Sequence, residues 1–142
     1  IIAYSLMPNH FHLLIRQVVD GGIGTFCRRW LNSYSRYFNE KYARNGALYQ
    51  EMFKAVLIQT NDQLLHLSRY VHINHLVSDF LTIEQLRTSE WTSLPEYLGL
   101  QSLVNPQIVL EQFPDTESYV QFLLDREAYG RSLEHIKHLT ID

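Results

Sequence analysis

Two histidines and a tyrosine–asparagine pair hold the chemistry this chain could perform. His10 and His12 stand at i and i+2 inside the apolar run Met7-Pro8-Asn9-His10-Phe11-His12-Leu13-Leu14-Ile15. On a β-strand that spacing sends both imidazoles to one face and Phe11 and Leu13 to the other. Tyr70 and Asn74 stand at i and i+4 in Tyr70-Val71-His72-Ile73-Asn74, a spacing that shares one face of a helix. Two imidazoles, an amide oxygen and a phenol can together hold a metal ion with a nucleophile beside it, the equipment of phosphodiester chemistry. Each part also has an ordinary reading. A His-x-His on a strand arises as a hydrogen-bonded pair, and Tyr70 is one of nine tyrosines. The apolar flanks raise the pair above that reading, because same-face imidazoles in a low dielectric repel once charged and a divalent cation removes the conflict. A phenol, with a reference pKa of about 10, needs a base or a metal before it attacks anything. His66, His72 and His75 ride the same helix as Asn74. Four potential ligands there exceed what one site uses, so these three are expected at the surface or supporting the site from behind.

The elements that must position these residues follow from the pattern. Residues 1–16 read as one strand, or a strand kinked at Pro8, with Met7-Pro8-Asn9 a bulge or an edge position, since proline cannot donate to a ladder. Asp20-Gly21-Gly22-Ile23-Gly24 is a break. Thr25 is a fair N-cap for a helix over 25–42, whose Phe26, Trp30, Tyr34, Tyr37 and Phe38 should face the core. After the Asn45-Gly46 turn, residues 48–59 read as a second strand. Thr60-Asn61-Asp62-Gln63 has the capping-box form and opens a helix through about residue 77, with Leu64, Leu67 and Val71 on its apolar face. Beyond residue 78 the chain is expected to be helical with loops. Asn105-Pro106 should start a short helix to about residue 112, and Asp115 should cap another that packs Tyr119, Phe122 and Leu123 inward. Two strands are few for a sheet that buries a face. The opening residues read as mid-strand, so further elements are expected to precede Ile1.

Composition bounds the rest. A chain of 142 residues, 46% hydrophobic, suits one domain with a real core. It holds no run of about 20 apolar residues to span a bilayer, and Ile1-Ile2-Ala3 lacks the basic start of a signal peptide. A lone cysteine, Cys27, fits a reducing, cytoplasmic setting, where it serves as half-buried filler. The net charge of −3 hides an asymmetry. Residues 1–60 carry seven basic against three acidic residues, and residues 61–142 five against twelve. The first half is therefore the surface suited to a polyanion. The acidic residues 83–142 hold too many apolar side chains for a disordered tail, among them Trp91, Tyr97, Leu98, Leu103, Phe113, Tyr119, Phe122 and Leu123.

Tyr4-Ser5-Leu6-Met7-Pro8-Asn9-His10-Phe11-His12-Leu13-Leu14-Ile15 resembles the HUH motif of single-tyrosine transposases, specifically their REP-associated, IS200-like branch. Gly46-Ala47-Leu48-Tyr49-Gln50 with Phe53-Lys54-Ala55 is similar to the strand before that family's catalytic helix. Arg69-Tyr70-Val71-His72-Ile73-Asn74 resembles the helix bearing its nucleophile, and Glu90-Trp91-Thr92-Ser93 with Tyr97-Leu98-Gly99 resembles its C-terminal extension. The chain departs from the family at His75, where proline is usual, and at Met52, where arginine is usual.

The resemblance implies an α+β, ferredoxin-like HUH endonuclease domain, an antiparallel sheet with helices. The domain is expected over residues 1–82, apart from the family's N-terminal strand and helix, with a helical extension over 83–142. It also implies Mg²⁺ or Mn²⁺ held by His10, His12 and Asn74, with Tyr70 as nucleophile. The activity implied is cleavage and rejoining of single-stranded DNA at hairpin or palindromic ends through a 5′-phosphotyrosine, by a monomer or a homodimer. Arg28, Arg29, Arg36, Arg44 and Lys54 are the expected DNA contacts. Zinc fits less well, because the one thiol has no Cys or His partner nearby in sequence. The rival reading is a non-catalytic, domesticated DNA-binding regulator of the same fold.

Overall fold

A computed structural model describes residues 1–78, 80–100 and 103–125; the expected extension beyond residue 125 lies outside them. The chain forms two compact units, residues 1–15 with those from 57 onward, and residues 16–56.

In the first unit, β1 (Ala3–Leu6) and β2 (Phe11–Leu14) pair antiparallel, with Tyr4 opposite Leu13 and Ser5 opposite His12. The expected single kinked strand is instead a hairpin. Pro8 sits in the turn, where its missing N–H costs no ladder bond, and Met7 N–H donates to the His10 carbonyl across it (2.9 Å). Residues directly opposite share a face, so Ala3, Ser5, His12 and Leu14 point one way. Of these, Ala3, Ser5 and Leu14 are buried.

The sheet packs on α2 (Asn61–Val77). Its capping box forms as the sequence dictates: Gln63 N–H donates to Thr60 Oγ1 (3.2 Å), and Gln63 Oε1 accepts from Thr60 N–H (3.2 Å). Leu64, Leu67 and Val71 are buried as expected, but so is every residue from 67 to 75. This is a central helix rather than an amphipathic surface one, and its polar side chains must find partners inside. Of the two places expected for His72 and His75, this removes the surface, since they are 0% and 4% exposed; His66 is half-buried.

Residues after α2 wrap this core through α3 (Ile83–Leu86), α4 (Leu94–Tyr97), α5 (Gln107–Leu110) and α6 (Thr116–Leu124). α5 begins one residue later than expected, with the Asn105 amide oxygen accepting from Gln107 N–H (3.2 Å). Asp115 caps α6 by accepting from Ser118 N–H (2.7 Å). Residues 91–93, read in sequence as non-strand, cover the outer edge of β1: Leu6 N–H donates to Trp91 O (2.7 Å), Ser93 N–H to Tyr4 O (3.0 Å), and Thr92 bridges Ser5. Tyr97 Oη donates to Ile2 O (3.0 Å). An edge that would otherwise expose unpaired groups is thereby sealed. Tyr97, Tyr119 and Leu123 are buried as expected, while Trp91 and Leu103 are exposed.

The second unit is built on α1 (Gly22–Lys41). Thr25 is not its cap. Gly21 is, at φ +67°, a left-handed conformation that glycine adopts without strain. Phe26 and Trp30 stack with ring centroids 6.0 Å apart and are half-buried, but Tyr34 and Tyr37 are exposed rather than in a core. Residues 51–59 form no strand; the side chains of Met52 and Leu57 are 91% and 76% exposed. Strand propensity acts through packing against partners, and no partner strand for this segment occurs among the described residues. The architecture of the described residues is α+β: a two-stranded antiparallel sheet with six helices. No described helix is long and apolar enough to cross a membrane.

Candidate active site

The hairpin and α2 bring four of the sequence-predicted residues together. His12 projects from β2 on the face turned to α2, and His10 ends the turn one residue before the strand. Their Nε2 atoms lie 3.1 Å apart, with the rings edge to face. Asn74 Nδ2 lies 3.4 Å from His12 Nε2, and the Tyr70 ring meets the His12 ring edge-on at 5.3 Å between centroids. The i, i+4 spacing on α2 thus places phenol and amide on the face that looks at the histidine pair.

As placed, the donors and acceptors of these three side chains leave one contact unmatched. Asn9 Oδ1 lies 2.7 Å from His10 Nδ1. An amide oxygen only accepts, so His10 Nδ1 carries a proton, and a neutral His10 offers a bare lone pair at Nε2. If His12 Nε2 is also bare, it accepts from Asn74 but faces the His10 lone pair. If it is protonated, it donates to His10 but opposes the Asn74 N–H. With the Asn74 amide nitrogen facing His12, no neutral state makes both contacts favourable. A cation does, either a proton on His10 or a metal ion that both lone pairs and a turned Asn74 oxygen can approach. Two ligand atoms about 2.1–2.2 Å from one ion on adjacent vertices are separated by about 3 Å, so the spacing of the pair suits a shared ion. Asn9, which orients His10, was missed in the sequence reading; a short polar residue in the turn before the first histidine was its signal.

The Tyr70 hydroxyl is buried and has no hydrogen-bond partner among the described residues. A buried polar group of this kind calls for a partner or a role, and Tyr70 Oη, unlike Ser5 Oγ and Glu96 Oε1 which share the property, belongs to a ring that packs against the histidine pair. The other phenols near the hairpin differ. Tyr4 Oη donates to Glu90 O (3.3 Å), and burial, then the Glu96 charge, pushes it up to about 12. Behind α2, His72 is sealed in the core between Tyr119 Oη (2.7 Å from Nδ1) and Ser93 Oγ (2.8 Å from Nε2). Burial depresses it to about 3, so it is neutral. His75 Nε2 donates to Trp91 O (3.2 Å), and burial depresses this imidazole as well.

The basic residues expected to contact DNA lie in the second unit. Arg28, Arg29 and Arg36 ride α1, with Arg44 and Lys54 after it, and all five are exposed. Arg36 and Arg44 flank one shallow depression with Asn39, Glu40 and Asn45. Lys54 pairs with Glu51 (3.6 Å).

The family model described as transposase IS200 like matches residues 1–74, the stretch that contains all four clustered side chains. The chain belongs to this family of IS200-like transposases. Membership makes it a DNA-binding, DNA-processing enzyme of transposition. No curated protein and no solved structure matches the chain.

Proposed function

We propose that this chain is a REP-associated, metal-dependent transposase that cuts and rejoins single-stranded DNA through a 5′-phosphotyrosine on Tyr70. The observation that carries the reading is the buried Tyr70 hydroxyl, unpartnered among the described residues, on the same helix face as Asn74 and with its ring against His12. In this reading Tyr70 Oη attacks the scissile phosphorus. The Oη–P bond forms, the P–O3′ bond breaks, the phenolic proton is lost, and the departing 3′ oxygen takes one up. The covalent bond conserves the energy of the phosphodiester, so a second 3′-OH can reverse the step and join a new strand.

His10, His12 and Asn74 would hold Mg²⁺ or Mn²⁺, which supplies neutralisation of the phosphate charge and alignment of the attack. Two imidazoles with one amide oxygen favour Mn²⁺ over Mg²⁺ within that pair. Single strands suit the site because a duplex would hold the phosphate too stiffly to reach a buried phenol. Hairpin or palindromic ends are the proposed substrates, and the exposed arginines of α1 their phosphate contacts.

The test is incubation with hairpin-bearing single-stranded DNA and Mn²⁺, then a denaturing gel and mass spectrometry of the labelled peptide. An adduct at Tyr70 supports the reading. Tight DNA binding with no adduct would favour the non-catalytic regulator.

A further inference from the structure

α2 needs something that fixes its rotation about its own axis. It is buried on all sides over residues 67–75, and aliphatic packing alone tolerates turning and sliding. A rotation equivalent to one residue, about 100°, would carry Tyr70 and Asn74 away from His12. On this helix His72 lies about 200° from both Tyr70 and Asn74, hence on the opposite side. It is the residue there with directional bonds at both ring nitrogens.

One arrangement of the protons links these groups in a chain, with Ser93 Oγ donating to His72 Nε2 (2.8 Å) rather than to Tyr4 O (3.3 Å). Ser68 Oγ donates to Leu65 O (2.8 Å), so Ser68 Oγ can accept from Tyr119 Oη (3.3 Å). Tyr119 Oη, its proton thus used, accepts from His72 Nδ1–H. Ser93 Oγ accepts from Tyr4 N–H (2.8 Å) and donates to His72 Nε2. Five hydrogen bonds then run in one sense from β1 through the 91–93 segment and His72 to α6 and back to α2. In that arrangement the neutral imidazole is protonated at Nδ1; with Ser93 Oγ donating to Tyr4 O instead, His72 Nε2–H donates to Ser93 Oγ and Tyr119 Oη donates to His72 Nδ1, so both bonds to His72 persist in either tautomer. Arg69, one residue before Tyr70, adds a second tie from α2 to the end of α6: its guanidinium donates to Leu123 O (3.3 Å) and Asp125 O and lies over the Phe122 ring. Ser93, Tyr119, Leu123 and Asp125 all lie beyond residues 1–74, the stretch the family model covers.

We propose that His72 is a positioning residue for the Tyr70 reaction: bonded to Ser93 and Tyr119, it sets the rotation of α2 and so aims Tyr70 and Asn74 at His12. The inference rests on the reading of Tyr70 as nucleophile, and its test separates the two. His72→Leu removes both bonds. Tyr119→Phe and Ser93→Ala each remove one oxygen and keep the fold's volume, so the question survives if His72→Leu does not fold. His72→Gln, with a donor and an acceptor, is the rescue.

The expected result is a single-turnover cleavage rate about 10- to 100-fold lower in His72→Leu, with smaller losses in Tyr119→Phe and Ser93→Ala and partial recovery in His72→Gln. Affinity for a single-stranded hairpin should stay within about twofold, because binding does not require the nucleophile to be aimed. The geometry is also read without any activity, from the NOE between the Tyr70 and His12 rings. It should be present in the wild type and lost or weakened in the variants, while NOEs among Leu67, Val71 and Ile73 persist. A wild type that shows the NOE but forms no adduct would sink the function reading and leave positioning to be decided by the variants' NOEs. Folded variants that keep both the NOE and the wild-type rate would overturn the inference, as would a rate loss matched by an equal loss of DNA affinity.

Discussion

Asn9 Oδ1 stands 2.7 Å from His10 Nδ1 and fixes which nitrogen of that ring faces His12. Second partners of this kind typically change metal affinity or activity by about 10- to 100-fold when removed. Asn9→Ala is therefore expected to weaken Mn²⁺ binding about 10-fold, and His12→Ala to weaken it further, as read by calorimetry or by EPR of free Mn²⁺. Unchanged affinity in Asn9→Ala together with His12→Ala would remove the histidine pair as an ion site.

Tyr70→Phe should abolish the covalent adduct while single-stranded DNA binding persists, since only the hydroxyl is lost and it makes no hydrogen bond to the described residues. Deleting a buried, unpaired polar group also relieves a desolvation cost. The thermal midpoint should therefore hold or rise, which calorimetry on the same samples reads. An adduct that persists in the variant would point to another phenol. Tyr4 is poorly suited, being pushed up to about 12 and bonded to Glu90 O.

The site was more legible in the sequence than the fold around it. The i, i+2 and i, i+4 spacings place chemistry on faces by local geometry alone, and His10, His12, Tyr70 and Asn74 converge as those spacings imply. The capping box of α2 and the Asp115 cap are equally local and form as expected. What local pattern could not show is what surrounds each element. Residues 48–59 have strand-like composition but no partner strand among the described residues, and they form no strand. Pro8 marks a reversal rather than a kink because the chain pairs with itself across it. His72 resembles any helix-surface histidine until Ser93 and Tyr119 arrive from 21 and 47 residues away.

The exposed arginines of the second unit should set the salt dependence of DNA binding. For single strands, each phosphate neutralised contributes about 0.7 to the slope of log affinity against log salt. Arg28→Ala, Arg29→Ala, Arg36→Ala and Arg44→Ala are each expected to flatten that slope by about this amount without altering sequence preference. Lys54→Ala should do less, because Lys54 is already paired with Glu51. Fluorescence anisotropy between 50 and 300 mM salt, roughly the range in which such slopes are resolved, makes the comparison. Slopes identical to wild type in all four arginine variants would place the phosphate contacts elsewhere.

His72 should also make the fold acid-sensitive before its carboxylates titrate. Folded, burial holds the imidazole down to about 3; unfolded, it returns to about 6.5. Above that upper value both states are neutral and the group contributes no pH dependence. As pH falls below it, the unfolded chain takes up a proton that the folded chain excludes, so stability declines by up to about 1.4 kcal/mol per pH unit. His75, also depressed by burial, acts in the same direction. Urea unfolding at pH 7.5, 6 and 5 should show the wild-type midpoint falling, with a shallower fall in His72→Gln, which has nothing to protonate. The window ends near pH 5, about where carboxylates begin to add their own dependence. Parallel declines in the two proteins would mean that His72 is hydrated or charged in the folded state, and the five-bond chain through it could not be intact.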